Sequence, residues 1–249
     1  MLEVLKNRWS KGWEAVADFF YPRVCVGCGV FLSDRREFRH ICPRCEETFR
    51  WLSAPACKFC GLSCPNAEEK ETWICTHCRE LNPYFYEGKS VFAMAGIGRA
   101  LIHTLKYRNG LFLKKDIWAL LDRCSLTLRP FLENAVLVPV PLHVWRERRR
   151  GYNQSLILSR WVGEWVGGRV EDCLRRVRST QTQTALNRTD RWRNVRNAFS
   201  LKKKTSIDVK GRFVLMDDVF TTGSTLNACA KVLRKVGVGR VDVFTLGHG

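Results

Sequence analysis

The fold is decided by the stretch Val214-Leu-Met-Asp-Asp-Val-Phe-Thr-Thr-Gly-Ser-Thr225. The apolar run from Phe213 to Met216 predicts a buried central strand. Apolar residues at Leu226, Ala230 and Leu233 then recur at helical spacing, so we expect a helix to begin just after the Thr/Gly/Ser run. The stretch therefore predicts a strand, a loop and a helix in direct succession.

This loop has the chemistry of a site for a sugar phosphate. Its backbone N–H groups and hydroxyls lie at the positive end of the helix dipole, where an anion binds with little rearrangement. Asp217 and Asp218, expected at the end of the strand, suit ribose hydroxyls or a hydrated Mg²⁺. The alternative is an ordinary helix N-cap, but capping needs one hydroxyl rather than a run of them after an acidic pair.

The stretch closely resembles the phosphoribosyl-diphosphate (PRPP) signature of type I phosphoribosyltransferases. It is not a Walker A loop, because no Gly-Lys-Ser/Thr follows, and it is not a dinucleotide-binding G-x-G-x-x-G. The resemblance implies that Asp217 and Asp218 are the catalytic pair and bind the ribose 2′- and 3′-hydroxyls. It also implies that the 5′-phosphate is bound by the residues that follow: Thr221, Thr222, Gly223, Ser224 and Thr225.

Length and composition fit a protein that stays in the cytoplasm. The chain of 249 residues is long enough to bury a real core in one or two domains. Charges interrupt the segment from Met1 to Trp9, where a signal peptide would be apolar, and no run reaches the length of a membrane span. We therefore expect a soluble cytoplasmic protein with no membrane insertion. Its 12 cysteines then favour metal binding over disulfides.

The net charge of +18 is unevenly distributed. Residues 1–85 hold 12 Lys and Arg against 11 Asp and Glu, a net charge of +1, whereas residues 86–249 hold 30 against 13, a net charge of +17. Such a field favours polyanions, either nucleic acid or a ligand with several phosphates. A solvated basic surface without a partner is the alternative.

Residues 1–24 predict a short amphipathic helix. We expect it to dock on the body of the protein rather than on a membrane surface, because its opposite face is not strongly basic. The apolar stripe consists of Leu5, Trp9, Trp13, Val16 and Phe20.

A cysteine repeat predicts a double zinc ribbon over residues 25–85. Each copy has two C-x2-C knuckles, which are 13 residues apart in the first copy and 14 apart in the second. Two knuckles supply four thiolates and close the zinc coordination sphere, so both sites are expected to be structural rather than catalytic. The expected ligands are Cys25, Cys28, Cys42 and Cys45, then Cys57, Cys60, Cys75 and Cys78.

Three alternatives to this zinc assignment stay open. The knuckles could pair in an interleaved way between the two sites. A single C-x2-C could be a redox dithiol, although four at matched spacing argue against it. Cys64, His40 or His77 could replace a ligand, although the regular repeat favours their being bystanders.

The region has few large apolar runs, so we expect chelation to unfold it.

Residues 86–249 predict an α/β domain of the type I phosphoribosyltransferase kind, a mostly parallel sheet with helices on both faces. Ligands bind at the carboxyl ends of such strands, where the acidic pair is expected. The predicted strands are 90–95, 135–140, 209–217 and 240–246, and the predicted helices are 98–107, 117–128, 155–166 and 225–236.

A second strand end carries a cluster of arginines. Pro139 and Pro141 stop the strand, and four arginines follow between residues 146 and 150. Guanidinium forks match phosphate oxygens, so Arg146 and Arg149, together with Lys106, are candidate contacts for a pyrophosphate. A solvated basic loop is the alternative.

The polar, basic first half of segment 175–199 predicts a mobile loop that closes over an anionic ligand and excludes water. Trp192 lies among arginines in this segment. Stacking combined with charge suits single-stranded nucleic acid, although packing beneath the loop explains one tryptophan equally well.

The order of these features resembles the ComF competence family from about residue 20 to the end of the chain. Each motif is modest alone, but their order is highly specific; Tyr152 stands where that family more often has Phe. The motifs after the cysteine region and before the PRPP signature are Leu105-Lys-Tyr107, Val138-Pro-Val-Pro-Leu142, Arg150-Gly-Tyr-Asn-Gln154, Gln183, Leu186, Arg191, Asn194-Val195 and Ala198-Phe199.

The family resemblance implies a bacterial cytoplasmic protein of natural transformation that acts on incoming single-stranded DNA beside a helicase-type partner. Some members of the family are instead linked to the use of DNA as a nutrient. The resemblance implies zinc in the ribbons and magnesium with PRPP, and it supplies no agreed acceptor for the ribose phosphate.

Two functions are open from the sequence. An active phosphoribosyltransferase would pass ribose 5-phosphate from PRPP to a nucleobase or amine by positioning and electrostatic stabilisation. A binding module would hold PRPP or a nucleotide end in the same pocket while its basic face carries single-stranded DNA. Both need the same ligand contacts. His103 and His143 are available as bases, but a lone His is more often structural than catalytic.

Overall fold

The computed structural model describes residues 22–33, 36–64, 73–178, 198–203 and 207–249. The predicted N-terminal helix lies almost wholly outside these residues, and so does most of segment 175–199, including Trp192 and most of the predicted mobile loop. Within the described residues, the predicted α/β sheet preceded by a double zinc ribbon is confirmed.

The centre of the protein is a parallel sheet of five strands. Its order is β1-β7-β6-β2-β3, and every neighbouring pair runs parallel. β4 and β5 form a separate antiparallel pair. The strands are β1 (Gly88–Ala93), β2 (Ala135–Pro139), β3 (Arg169–Val170), β4 (Leu174–Arg176), β5 (Phe199–Leu201), β6 (Arg212–Phe220) and β7 (Arg240–His248).

Two short helices of the described chain lie in the zinc ribbons, and the helices that follow β1 connect the strands and cover the sheet. A 3-10 turn, Gly110–Leu113, separates two of them. None of the helices in the described ranges is long and apolar enough to cross a bilayer. They are α1 (Pro43–Glu46), α2 (Thr76–Leu81), α3 (Gly96–Tyr107), α4 (Lys114–Arg123), α5 (Ser125–Leu132), α6 (Val144–Arg150), α7 (Gln154–Val166) and α8 (Ser224–Lys235).

Most predicted boundaries were wrong by one to three residues, and two of the differences have a clear physical cause. The predicted helix 117–128 is two helices, because the backbone leaves the helical region at Cys124, where φ is −107° and ψ is 15°. The strand expected to end at Asp217 continues to Phe220. It continues because β7 pairs with it as far as Phe220, whereas β2 pairs with it only as far as Met216.

The sheet buries a separate apolar cluster on each face. Successive residues of β6 point to opposite faces, so Val214 and Met216 join the cluster under α3 and α4, and Phe213 and Leu215 join the cluster under α8. Each zinc ribbon adds to one cluster. The first ribbon contributes Phe38, Ile41 and Phe49 to the former, and the second contributes Leu81 and Phe85 to the latter.

The first ribbon is tied to α4 by a buried acid. Asp116 has no solvent exposure. Its Oδ1 accepts from the backbone N–H of His40 at 2.8 Å, and its Oδ2 lies 2.8 Å from His40 Nδ1. A buried carboxylate is tolerated only when it is paired and hydrogen-bonded, so these two contacts fix where the ribbon meets the helix.

We expect Asp116→Ala to lower the free energy of unfolding by about 2–3 kcal/mol, because it takes the buried acceptor away from two donors of His40. The exposed acid of the same helix, Asp122, bonds Trp165 Nε1 at the surface and is the matched control. The variant Asp122→Ala should lower the free energy of unfolding, measured with urea, by less than about 1 kcal/mol. Equal losses in the two variants would contradict a docking role for Asp116.

Candidate functional site

A cavity of about 220 Å³ lies at the carboxyl ends of β2 and β6. After Pro139 the chain turns away into α6, so a gap opens beside the last residues of β6. Ligands of open parallel sheets bind at such ends. The structure brings all the predicted PRPP contacts except Arg149 to this cavity: Asp217, Asp218, Thr221, Thr222, Gly223, Ser224, Thr225, Arg146 and Lys106.

The acidic pair forms one wall of the cavity and is held from three directions. Asp217 Oδ1 accepts from the Ser155 hydroxyl at 2.7 Å and from the backbone N–H of Asp218 at 2.9 Å. Asp218 is 3% exposed, and its Oδ2 lies 2.9 Å from Lys106 Nζ. Two adjacent carboxylates thus remain close together because a hydroxyl and an ammonium group compensate their repulsion.

The protonation of Asp217 changes near neutral pH. Burial raises the pKa of Asp217 from 3.8 to about 7, and the negative charge of Asp218 adds to the rise. The Ser155 hydrogen bond and the charge of Lys106 oppose it. A cation in place of the proton would relieve the same repulsion between the carboxylates of Asp217 and Asp218. A carboxylate that receives a metal ion or a ribose hydroxyl is expected to behave in this way.

The loop after β6 leaves its helix without a side-chain cap. Gly223 stands at the N-cap of α8 with φ of +64°, and no side-chain hydrogen bond caps the helix. The hydroxyls of Thr222 and Ser224 lie 3.0 Å apart. The ordinary N-cap interpretation therefore does not describe this helix. The residues at the start of α8 line the cavity, so their N–H groups are available to an anion there.

Gly223 is required by the packing as well as by its backbone conformation. A Cβ at this position would lie 2.5 Å from Cζ of Phe220 and 2.8 Å from Cδ2 of Leu81. A residue with a side chain would also be strained at this positive φ. The sharp turn that exposes the N–H groups thus depends on glycine.

Four cationic side chains surround the cavity among the described residues: Lys106, Arg146, Arg150 and Arg176. Burial lowers the pKa of Arg176, and the nearby positive charge of Arg146 lowers it further. The two guanidinium groups repel each other, and an anion between them would remove that repulsion. Arg149, the predicted third contact, is exposed and does not line the cavity.

The motif Arg150-Gly-Tyr-Asn-Gln154 shapes the second wall. Asn153 caps α7 by accepting from the Ser155 N–H at 3.0 Å and donates through Nδ2 to the Val140 carbonyl at 3.1 Å. Arg150 donates to Gln154 Oε1 at 2.7 Å. These bonds fix the direction of α7, and thereby bring Ser155 to Asp217.

Tyr152 connects that wall to the segment that carries Lys106. Its hydroxyl donates to the Leu105 carbonyl and accepts from the Gly110 N–H. Burial raises the pKa of Tyr152, so the hydroxyl keeps its proton for this bond. A phenylalanine here would fill the same space without either hydrogen bond.

Sequence reasoning missed Ser155, Arg150, Gln154 and Arg176 as cavity residues. Arg150, Gln154 and Ser155 belong to or follow the Arg150–Gln154 motif, so that motif was a usable signal. Arg176 lies on the small β4–β5 sheet, and no local pattern places it near Asp217. Neither His103 nor His143 lines the cavity among the described residues.

The eight knuckle cysteines form two groups, each with its ligand atoms within 4.8 Å of one another. The first is Cys25, Cys28, Cys42 and Cys45, and the second is Cys57, Cys60, Cys75 and Cys78. Consecutive knuckles therefore share a site, and the interleaved alternative is wrong. In each group backbone N–H groups donate to sulfur at 3.4 Å, which suits thiolate ligands. The two groups fit the structural zinc sites of a double ribbon.

The three predicted bystanders lie outside both groups. His40 bonds Asp116, and His77 Nε2 lies 2.9 Å from the carbonyl oxygen of Thr222, in the loop beside the cavity. Cys64 is half-buried and belongs to neither group. The two histidines of the ribbons thus contact the α/β domain rather than metal.

Comparison with known proteins now identifies the family. The double zinc ribbon domain matches residues 16–79. Competence protein F of Haemophilus influenzae is 31% identical over 233 residues, which cover 92% of this chain and 98% of that protein. This chain belongs to the ComF family. The DNA utilization protein YhgH of Escherichia coli K12 is 31% identical over a region that covers 83% of this chain and 88% of that protein. Competence protein ComFC of Streptococcus pneumoniae is 25% identical over a region that covers 83% of this chain and 86% of that protein.

We expect purified protein to carry about two zinc ions per chain without added metal, because each group supplies four thiolates. Replacing Cys57 and Cys60 together by serine should lower the ratio to about one, since the first group keeps its ligands. Elemental analysis of protein of known concentration measures this. A ratio near one in the wild type would contradict two metal sites.

We expect the free energy of unfolding to respond to the proton on Asp217. The folded protein keeps this proton up to a pH of about 7, whereas the unfolded chain loses it near 3.8, so ionisation destabilises the fold as pH rises through this window. The side chain of Asp217→Asn does not ionise, so this variant keeps its stability through the window. The free energy of unfolding of the variant, relative to that of the wild type, should therefore rise by about 2 kcal/mol between pH 5 and pH 8. The exposed Asp208→Asn is the control. A constant difference would contradict the raised pKa.

Proposed function

We propose that this protein binds PRPP together with Mg²⁺ in the cavity at the end of β6, and that it handles incoming single-stranded DNA in natural transformation. The proposal is carried by one observation. The same cavity holds an uncapped helix N-terminus, from Gly223 onward, and a buried acidic pair only a few residues away. An anion site beside a hydroxyl or metal site is what a sugar phosphate requires.

Each part of PRPP matches a different group of residues in the cavity. The 5′-phosphate suits the N–H groups and hydroxyls of Thr221 to Thr225, and the ribose hydroxyls and Mg²⁺ suit Asp217 and Asp218. The pyrophosphate suits the guanidinium groups of Arg146 and Arg176, whose repulsion an anion relieves. Lys106 pairs with Asp218 and lines the same cavity.

The role in transformation rests on the relatives and on charge. Two relatives bear the names competence protein F and competence protein ComFC, and others are named for DNA utilization. The net charge of +17 over residues 86–249 supports a polyanionic partner beyond a single PRPP. We place the protein in the bacterial cytoplasm, with a helicase-type protein as a partner of the same process.

The double variant Asp217→Asn, Asp218→Asn should abolish PRPP binding in isothermal titration calorimetry, because it removes the ribose and metal contacts. Its binding to single-stranded DNA should be retained, since the loss of two acids makes the surface more basic. The control is Asp172→Asn with Asp208→Asn, which changes the charge equally at surface sites and should leave PRPP binding unchanged. Equal loss of both ligands in the folded acidic-pair variant would contradict separate sites.

Turnover of PRPP is a second candidate, and the arginine cluster favours it. Arg146 and Arg176 stand where they would stabilise a leaving pyrophosphate electrostatically. Pyrophosphate release should be measured with PRPP, Mg²⁺ and a panel of nucleobases and amines, with and without single-stranded DNA. Release that depends on one acceptor establishes a phosphoribosyltransferase. Tight binding without release under any condition establishes a binding module.

A further inference from the structure

The second zinc ribbon contacts the loop between β6 and α8 through His77, a residue that does not itself line the cavity. His77 lies between the zinc ligands Cys75 and Cys78, and its Nε2 donates to the carbonyl oxygen of Thr222 at 2.9 Å. Thr222 is the middle of the loop between β6 and α8. A residue inside a metal knuckle thus holds the backbone of the loop that lines the cavity.

A second set of contacts joins the same ribbon to the first turn of α8. Asn227 is 8% exposed; its Oδ1 accepts from the Tyr84 N–H at 2.6 Å, and its Nδ2 donates to the Leu81 carbonyl at 3.3 Å. Leu81 also packs against Gly223, which leaves no room there for a side chain. The loop and the helix start are therefore braced together by the end of α2.

The first ribbon has no comparable position among its described contacts. It meets the opposite face of the sheet, where His40 bonds Asp116 and the Thr48 hydroxyl accepts from the Ile97 N–H at 3.0 Å. The residue of the first ribbon that corresponds to His77, two positions after the knuckle's first cysteine, is Arg44, which is exposed. The two ribbons thus have the same metal chemistry and different neighbours.

We propose that His77 is a positioning residue of the phosphate site and that the metal of the second ribbon, rather than that of the first, sets ligand affinity. The peptide bond is planar and trans, so the Thr222 C=O and the Gly223 N–H point in opposite directions. A carbonyl held by His77 at the rear therefore aims the Gly223 N–H at the cavity. Zinc fixes Cys75 and Cys78, and they fix His77.

This inference rests on the proposed function and deepens it, since it names what keeps the anion site in shape. The probes are PRPP and ribose 5-phosphate, which share the 5′-phosphate and differ in the pyrophosphate. His77→Ala should lower the affinity for both ligands by about fivefold to tenfold, as expected for one misdirected hydrogen-bond donor. His77→Gln can donate to the same carbonyl and should restore most of the affinity. Arg44→Ala is the matched control and should change neither.

Hydrogen exchange separates positioning from a general loss of structure. In His77→Ala the amides of residues 221–225 should exchange faster, while the first ribbon and a zinc content of about two ions per chain stay as in the wild type. Should His77→Ala lose zinc, Asn227→Ala removes the other brace without touching the knuckle and should accelerate the same amides.

Four outcomes overturn the inference. Wild-type affinity and exchange in both His77→Ala and Asn227→Ala would show that the brace has no effect. Loss of PRPP binding with normal ribose 5-phosphate binding would place the effect away from the loop. Equal losses in Arg44→Ala would remove the distinction between the ribbons. If the wild-type protein bound neither ligand, the proposed function itself would be wrong and this inference would fall with it.

Discussion

The site depends on the unequal lengths of β2 and β6. β6 stays paired with β7 up to Phe220, but β2 leaves it at Met216, because Pro139 and Pro141 direct the chain outward. One edge of β6 is thus supported to its end while the other is open. The acidic pair lies in that half-supported section. Helix α7 borders the gap and brings Ser155 to Asp217. A β2 of the same length as β6 would fill the cavity with backbone.

The zinc ribbons are part of the fold rather than appendages to it. Each one adds apolar residues to the cluster on its own face of the sheet, and each is tied to the α/β domain by a histidine, His40 or His77. Small segments without a sufficient core of their own gain their folding free energy from metal. The metal sites therefore hold surfaces that the larger domain uses, one beside α4 and one beside the loop between β6 and α8.

Much of the fold and part of the site could be predicted, because the information is local in the chain. The C-x2-C spacing decides which thiolates can meet, and the run from Asp217 to Thr225 carries its strand end, its turn and its helix start in consecutive residues. Contacts across the fold left no such pattern. Arg176 approaches the acids from a different sheet, and the choice of Arg150 over Arg149 depends on the direction of α6, which ends at Gly151.

A crystal structure of the protein with PRPP and Mg²⁺ tests the central claim most directly. We expect the 5′-phosphate oxygens within about 3.2 Å of the backbone nitrogens at the start of α8, Gly223 and Ser224 among them, and the ribose hydroxyls on Asp217 and Asp218. Lys106 should then have left Asp218 for an oxygen of the ligand. A phosphate bound away from the loop, or an empty cavity in crystals saturated with ligand, would contradict the assignment of this site.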